Sequence, residues 1–207
     1  MSDRIVTLKE IYDEALACKD SLEAQAAGVG RPIYISIHFS VSRYDQVWSD
    51  YSINVTDRNI HLMGDLDEYK PSTWRRNTAN ISIALDCCLD CSLNGTKENP
   101  ILDLGTYPPT TYQIETVAQI CAVLAMALDL YGDYGEKLKE HIFTHYEFAM
   151  MDGYGPFNGV DPDVRYDGCN WTEDEEFGDG GNIMRGKCNY YFQRFKEQGI
   201  PEEVGGD

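Results

Sequence analysis

Two histidines that lie far apart in the chain are the residues best suited to chemistry. His38 ends the alternating apolar run 33–38, and His145 precedes a segment rich in carboxylates. The alternation predicts a strand whose isoleucines face one side and whose His38 faces the other. Two imidazoles and one carboxylate, with a fourth position open, are the donor set of many catalytic zinc sites. The sequence therefore predicts a metal site to which both histidines contribute.

The carboxylate would come from the segment that follows His145. Glycine and proline interrupt this segment, so its backbone can fold back toward the histidine. Its acidic residues are Glu147, Asp152, Asp161, Asp163 and Asp167. A solvated acidic loop is the competing interpretation of the same composition. His61 and His141 are weaker candidates, because one lies in a predicted hairpin and the other follows a charged helix end.

Composition limits the class of protein. A chain of 207 residues with 43% hydrophobic and 25% charged residues is most simply one globular domain, spanning residues 1–207. A net charge of −18 argues against a nucleic-acid surface and against adhesion to anionic membranes. We find no apolar run long enough to cross a bilayer and no secretory signal segment, so membrane insertion is not expected.

Seven cysteines are an odd number, and their spread through the chain does not indicate a disulfide framework. Cys88 and Cys91 have C-x-x-C spacing, and Cys87 adjoins them. A structural zinc site would need a second Cys or His pair nearby, and none is present. We expect buried thiols or a local disulfide here, with a redox or metal role as the alternative.

Capping signals and helical spacing predict three helices. Thr7 with Glu10, and Thr110 with Gln113, each form a capping box at a helix start. Asn182 is predicted to cap the last helix. The predicted helices cover residues 8–19, a segment that begins near 111, and residues 183–198.

Alternating apolar residues predict the strands. They are expected at 33–38, at 80–86, and in a hairpin formed by 51–55 and 59–63. Residues 27–32 and 94–100 are predicted loops, 139–145 return toward the sheet, 178–181 are flexible, and 199–207 form a flexible tail. Since strands and helices mix without strict βαβ alternation, we expect an α/β domain with a mixed central β-sheet flanked by helices.

Eight segments resemble, in order and spacing, those of the zinc-dependent N-acetylmuramoyl-L-alanine amidases. These are the type 2 amidases, related in fold to phage amidase lysozymes and peptidoglycan recognition proteins. The resemblance covers about residues 33–192. The segments are IleHisPheSerValSerArgTyr (37–44), AspTyrSerIleAsnVal (50–55), ThrTrpArgArgAsnThr (73–78), AsnIleSerIleAlaLeu (80–85), TyrGlnIleGluThrValAla (112–118), ThrHisTyrGluPheAla (144–149), ArgTyrAsp (165–167) and GlyAsnIleMetArgGlyLys (181–187).

The resemblance implies a ligand set for Zn²⁺. His38 matches the first ligand of the family and His145 the second. The third is a Cys or Asp downstream, for which two positions compete. Asp167 matches the Arg/Lys-aromatic-Asp pattern of one branch and is favoured, whereas Asp161 matches the Asp-Pro-Gly pattern of another branch, with Asp163 in place of the glycine.

The resemblance also implies residues around the metal. Tyr51 matches a tyrosine that lines the reaction centre and donates a hydrogen bond to the oxyanion. Some members carry a catalytic Glu where this chain has Ala84, so the general base stays open. Glu147 is the substitute that we predict, and a bracing role for its carboxylate is the alternative. The expected groove residues, which ordinary packing would equally explain, are Tyr44, Trp74 and Asn77.

The expected activity is hydrolysis of the amide bond between N-acetylmuramic acid and L-alanine in peptidoglycan. A non-catalytic muropeptide-binding module on the same scaffold is the alternative, and an unrelated acidic domain with structural histidines is a third interpretation. We expect action on the cell wall after phage lysis or specialised secretion, or cytoplasmic recycling of wall fragments. The sequence identifies no delivery or immunity partner.

Overall fold

A six-stranded mixed β-sheet is the framework of the molecule, which the computed structural model describes for residues 3–158, 165–202 and 204. Helices pack against the sheet, as expected for a single α/β domain. In chain order the elements are β1 (Asp3–Ile5), α1 (Leu8–Val29), β2 (Tyr34–Phe39), β3 (Ile53–Val55), β4 (Ile60–Met63), β5 (Asn80–Leu85), β6 (Ser92–Thr96), β7 (Asn99–Asp103), α2 (Thr111–Ala127), α3 (Leu138–His141), β8 (Ile142–Thr144), α4 (His145–Met151) and α5 (Gly180–Gln198).

The strand order places β2 near the middle of the parallel half of the sheet. The order is β1-β4-β3-β5-β2-β8. β2 is parallel to both β5 and β8, and β3 is parallel to β5, whereas β4 pairs antiparallel with β3 and β1. The carboxyl ends of β2, β3, β5 and β8 therefore meet at one edge of the sheet. His38 lies near that edge, opposite Ala84 of β5.

The two faces of β2 differ in chemistry, as the alternation predicted. Ile35 and Ile37 belong to the large hydrophobic core, which also includes buried residues of α1, α2 and α5. Ser36 and His38 are equally buried but point to the opposite face, where they contact other polar groups. The helices thus cover the aliphatic face, and the polar face is left for a site.

Both predicted capping boxes are present. Thr7 and Glu10 cap α1, and Thr110 and Gln113 cap α2, each with reciprocal side-chain and backbone hydrogen bonds. α1 extends ten residues beyond the predicted end, to Val29, because its second half is rich in alanine and continues the buried stripe. It ends at Gly30, whose φ of 63° is in the left-handed region that glycine tolerates.

Two predictions about local structure were wrong. Residues 94–100 belong to the β6–β7 hairpin rather than a loop; Gly95, with φ of 85°, and Pro100 hid the strand pattern. Pro100 is tolerated because the hairpin is an isolated two-stranded sheet with free edges. The last helix begins at Gly180, inside the segment predicted to be flexible, and its N-cap position is Asp179 rather than Asn182. Among the described residues, no helix is long and apolar enough to cross a membrane.

Candidate metal centre

His38, His145 and Asp167 converge in a buried cluster, although up to 129 positions separate them in the chain. The Nδ1 atom of His38 lies 3.0 Å from Oδ2 of Asp167. The Nδ1 atom of His145 lies 2.9 Å from Oδ1 and 3.2 Å from Oδ2 of the same carboxylate. The two imidazole centroids are 4.8 Å apart. The structure thus brings together the three residues that the sequence favoured as ligands.

The cluster fits a divalent metal ion in both donor type and spacing. Three donors about 2.0–2.1 Å from a tetrahedral Zn²⁺ lie about 3.3 Å from one another. The observed nitrogen-to-oxygen distances of 2.9–3.2 Å need only a small expansion to reach that value. Among the described residues, His145 Nε2 is buried without a hydrogen-bond partner, and Asp167 Oδ1 is buried with only the 2.9 Å contact to His145 Nδ1, which lacks hydrogen-bond geometry. Buried polar atoms without a hydrogen bond are costly, so they favour a ligand at this position.

The sheet explains why the two histidines meet. β8 lies beside β2 and pairs Thr144 with Ile37. The next residue of each segment is a histidine, so His145 lies beside His38. Thr144 also caps α4, which makes His145 the first helical residue. Gly168 lets the Asp167 segment approach this corner, because its φ is 75° and a Cβ there would lie 2.8 Å from the Cβ of Thr144.

A second layer of polar side chains orients His38. Its Nε2 atom lies 3.0 Å from the Ser36 hydroxyl and 3.1 Å from the Thr73 hydroxyl. These contacts hold the ring so that Nδ1 faces Asp167: Nδ1 donates to the carboxylate when it carries the proton, and it offers a lone pair to a metal ion when Nε2 carries the proton. The loop that holds Thr73 is fixed in turn by Arg76, which forms a bidentate ion pair with Asp152, both contacts being 2.7 Å.

The electrostatics of the cluster favour the protonation states that a metal site requires. Burial lowers the pKa of His38, so its imidazole is neutral at neutral pH. Burial alone would raise the pKa of Asp167, but attraction to His145 and hydrogen bonds from both imidazoles outweigh it and leave that pKa below its usual value. A neutral imidazole at His38 and an ionised carboxylate at Asp167 are forms that bind metal.

Tyr51 lies beside the cluster, with its ring centroid 5.2 Å from that of His38. Burial, followed by the negative charge of Asp167, raises the pKa of its phenol well above the usual value. The hydroxyl therefore remains protonated over the physiological pH range. It is able to donate a hydrogen bond to an oxyanion that forms next to the cluster.

A pocket of about 450 Å³ opens onto His145. Its lining residues are Pro71, Ser72, Trp74, Asn77, His145, Tyr154 and Arg165. The ring of Trp74, which is 52% exposed, meets that of Tyr154 edge to face at 5.0 Å. Trp74 and Asn77 thus lie where the groove was predicted. Tyr44 does not: it lines a separate pocket with Tyr107 and donates a hydrogen bond to the carbonyl of Pro108.

The carboxylate of Glu147 is held by several donors. It accepts a 3.0 Å hydrogen bond from the backbone N–H of Thr144, as the third residue of a capping box. Arg185 of α5 contacts both of its oxygens, at 2.8 and 2.9 Å. Because these contacts engage both carboxylate oxygens, they favour the bracing alternative over the predicted role as general base.

The other candidate ligands are two aspartates and a group of three cysteines. Asp161 and Asp163, on which the competing ligand assignment depends, lie outside the described residues. Cys87, Cys88 and Cys91 are free thiols, and Cys91 contacts the Tyr166 hydroxyl at 3.5 Å. Among the described residues, only the His38 cluster groups three potential metal ligands.

Sequence reasoning missed several residues around the cluster. Ser36 and Thr73 hold His38, whereas Tyr154 and Arg165 line the pocket. Ser36 has a detectable signal, because it shares the strand face of His38 two residues earlier. The others reach the site from loops whose course no local pattern specifies. Comparison with protein-family models, with curated proteins and with solved structures gave no match to this chain.

Proposed function

We propose that this protein is a zinc-dependent N-acetylmuramoyl-L-alanine amidase, which hydrolyses the amide bond between muramic acid and L-alanine in peptidoglycan. The observation that carries the proposal is the buried convergence of His38, His145 and Asp167 beneath an open pocket. The family resemblance of the sequence supports the same assignment. A structural group of histidines would not need a pocket that leads to one of its members.

The ligands His38, His145 and Asp167 would hold Zn²⁺, which lowers the pKa of a bound water and polarises a carbonyl group. Ser36 and Thr73 contact Nε2 of His38 and hold its ring with Nδ1 facing Asp167. Tyr51 donates a hydrogen bond to the oxyanion that develops on the scissile carbonyl. The buried site also strengthens these electrostatic interactions, because it excludes most of the solvent.

The pocket beside His145 suits an amphipathic substrate. Trp74 and Tyr154 offer aromatic faces to a sugar ring or a peptide side chain, and Asn77 and Arg165 supply polar groups. The Asn77 side chain also accepts a hydrogen bond from the Thr73 backbone, so it shapes the loop as well as the groove. We propose peptidoglycan or its soluble muropeptides as the substrate, at the cell wall or during recycling of wall fragments.

The test is hydrolysis of a soluble muropeptide by zinc-loaded protein, followed through the new amino terminus of L-alanine. We expect one Zn²⁺ per chain and hydrolysis that ends when a chelator is added. His145→Ala should lose both zinc and activity. His61→Ala is the matched control, since His61 pairs with Asp3 at the far edge of the sheet and should keep both.

Three results would count against the proposal. Zinc binding and muropeptide binding without cleavage would identify a recognition module on this scaffold. A chain that binds no zinc would indicate that the histidines are structural. Cleavage that persists in His145→Ala would place the chemistry elsewhere. Parallel assays on intact sacculi and on soluble fragments would separate a wall-degrading enzyme from a recycling enzyme.

A further inference from the structure

Asp86 continues the polar face of the sheet beyond His38. The pairing of β2 with β5 extends past the strand ends, since Ser40 N–H donates to the Leu85 carbonyl at 3.0 Å and Ser42 N–H to the Cys87 carbonyl at 2.8 Å. Side chains alternate along a strand, so Asp86 faces the same side as Ala84, which lies opposite His38. Its Cα lies about 7 Å further along β5 than that of Ala84.

The carboxyl group of Asp86 is completely buried and lacks the partners that buried acids normally have. The residue has 0% exposure, and neither oxygen makes a hydrogen bond of good geometry within the described residues. Burial raises its pKa to about 8, and the nearby Ser40 hydroxyl offsets this only in part. Keeping an acid in such a place costs stability, which indicates a use for it.

The surroundings of Asp86 point toward the candidate metal centre. Its charge acts on Tyr51 together with that of Asp167, so the phenol lies within the field of both carboxyl groups. Ala84, which lies opposite His38 on the same face as Asp86, has only a methyl group and no hydrogen-bonding atom of its own. Asp86 is therefore the next side chain after Ala84 on this face that carries a group able to exchange a proton.

We propose that Asp86 is the proton-transfer residue of this site. The inference rests on the proposed amidase function. It assigns to Asp86 the role of general base, for which Ala84 has no suitable group and Glu147 is held by other partners. Glu147 is held by Arg185 and by the backbone of Thr144, whereas Asp86 has no such partners among the described residues.

The proton transfers balance over one turnover. As the oxygen of the attacking water forms a bond to the amide carbon, Asp86 accepts a proton from that water. As the carbon–nitrogen bond breaks, Asp86 returns the proton to the leaving amine of L-alanine. The carboxylate is regenerated, and water has been divided between the new acid and the new amine. An acid that titrates near neutral pH is well suited to both steps.

The experiment compares Asp86→Asn with the wild-type protein, both loaded with zinc. Asn keeps the size of the side chain but removes the ionisable proton, so kcat should fall by about 100-fold or more while KM and zinc content stay unchanged. Ala84→Glu in the Asp86→Asn background returns a carboxylate to the same face. The kcat of this double variant should be about 10-fold higher than that of Asp86→Asn. Asp129→Asn is the control and should keep wild-type turnover, because this exposed carboxylate pairs with Lys19 and not with the cluster.

A second measurement does not depend on turnover. A cation bound near Asp86 should lower the pKa of its carboxyl group, so zinc addition at neutral pH should release more protons from wild type than from Asp86→Asn. Equal proton release, or Asp86→Asn turnover within threefold of wild type, would overturn the role of Asp86 while the amidase function stands. A zinc-loaded wild type that fails to cleave muropeptides would overturn both.

Discussion

The two faces of the central sheet use the same strands for opposite purposes. On one face, Ile35 and Ile37 of β2, together with Ile81 and Ile83 of β5, are fully buried in the hydrophobic core. On the other face, the alternate residues are equally buried but polar, including Ser36, His38, Ser82 and Asp86. The aliphatic side chains of the first face need only packing contacts, whereas the second face retains buried polar atoms without hydrogen-bond partners.

This difference indicates how the fold separates stability from chemistry. Burial of aliphatic side chains contributes about 1.5–3 kcal/mol per residue and needs no ligand. Buried polar groups give little net stability, and those without partners reduce it. We therefore expect substitutions on the aliphatic face to affect unfolding, and substitutions on the polar face to affect metal binding and turnover.

The largest expected effect is the loss of zinc from the polar face. His38→Ala removes one of three ligands, so the affinity for Zn²⁺ should fall by at least about 1000-fold. Zinc should then raise the melting temperature of the wild-type protein but not of this variant. Calorimetry with added zinc measures both quantities. His141→Ala is the control, because His141 contacts the Ile33 carbonyl instead of the cluster; a zinc response like that of wild type in His38→Ala would remove His38 from the ligand set.

The neighbouring residue on the opposite face should behave in the reverse way. Ile37→Ala leaves a cavity in the core and should lower the free energy of unfolding by about 2–5 kcal/mol. Zinc affinity per folded molecule should change little, because the side chain points away from the metal ligands. Denaturant titration of the metal-free protein measures the first effect. A large loss of zinc affinity with normal stability would contradict the division between the faces.

Tyr51→Phe tests a single polar contribution within the site. Removing the phenol hydroxyl should reduce turnover by about 100- to 1000-fold, as expected for one oxyanion donor. Zinc content and KM should barely change, since the hydroxyl acts on charge that develops in the transition state. Near-wild-type turnover would show that the ring beside His38 serves packing only.

Asp86 should make the free energy of unfolding depend on pH in an unusual way. Its folded pKa of about 8 lies above the unfolded value near 3.8, so its contribution to stability is full below pH 4 and is lost as pH rises toward 8. In metal-free protein, the stability of Asp86→Asn should therefore rise relative to that of wild type over this range, by up to about 6 kcal/mol. Ser40 lies near the carboxyl group, Tyr51 and Cys87 are within its electrostatic influence, and all three are unchanged in the comparison. If the free energy of unfolding of the two proteins instead changes with pH in parallel, Asp86 is ionised in the folded protein as it is in the unfolded chain.

The sequence was sufficient for the parts of the molecule that local patterns encode. Alternation in residues 33–38 predicted which face His38 occupies, and the Thr110–Gln113 box predicted where α2 begins. It was insufficient where the signal depends on distant contacts. The hairpin around Gly95 resembles a loop because glycine and proline interrupt its alternation, although the two strands pair with each other.

The candidate site shows the same limit. His38, His145 and Asp167 were predictable as a set because of residue type and family resemblance, and the structure brings them together. The difference between Glu147 and Asp86 was not predictable. Both are carboxylates near a strand end, and only their partners distinguish them. Arg185 of the last helix pairs with Glu147. No group among the described residues contacts the Asp86 carboxyl with good hydrogen-bond geometry.

Substitution of Glu147 should have the smallest effect on turnover, and it distinguishes Glu147 from Asp86 as the proton acceptor. Gln at this position keeps the capping interaction, as Gln113 does in α2, but weakens the pairing with Arg185. Glu147→Gln should therefore cost about 1 kcal/mol of stability and leave turnover near the wild-type value, whereas Glu147→Ala should cost about 2 kcal/mol. Thermal unfolding and muropeptide hydrolysis measured on the same samples separate the two quantities. If Glu147→Gln instead abolishes turnover with zinc content intact, Glu147 is the proton acceptor despite its partners, and the unpaired Asp86 is not.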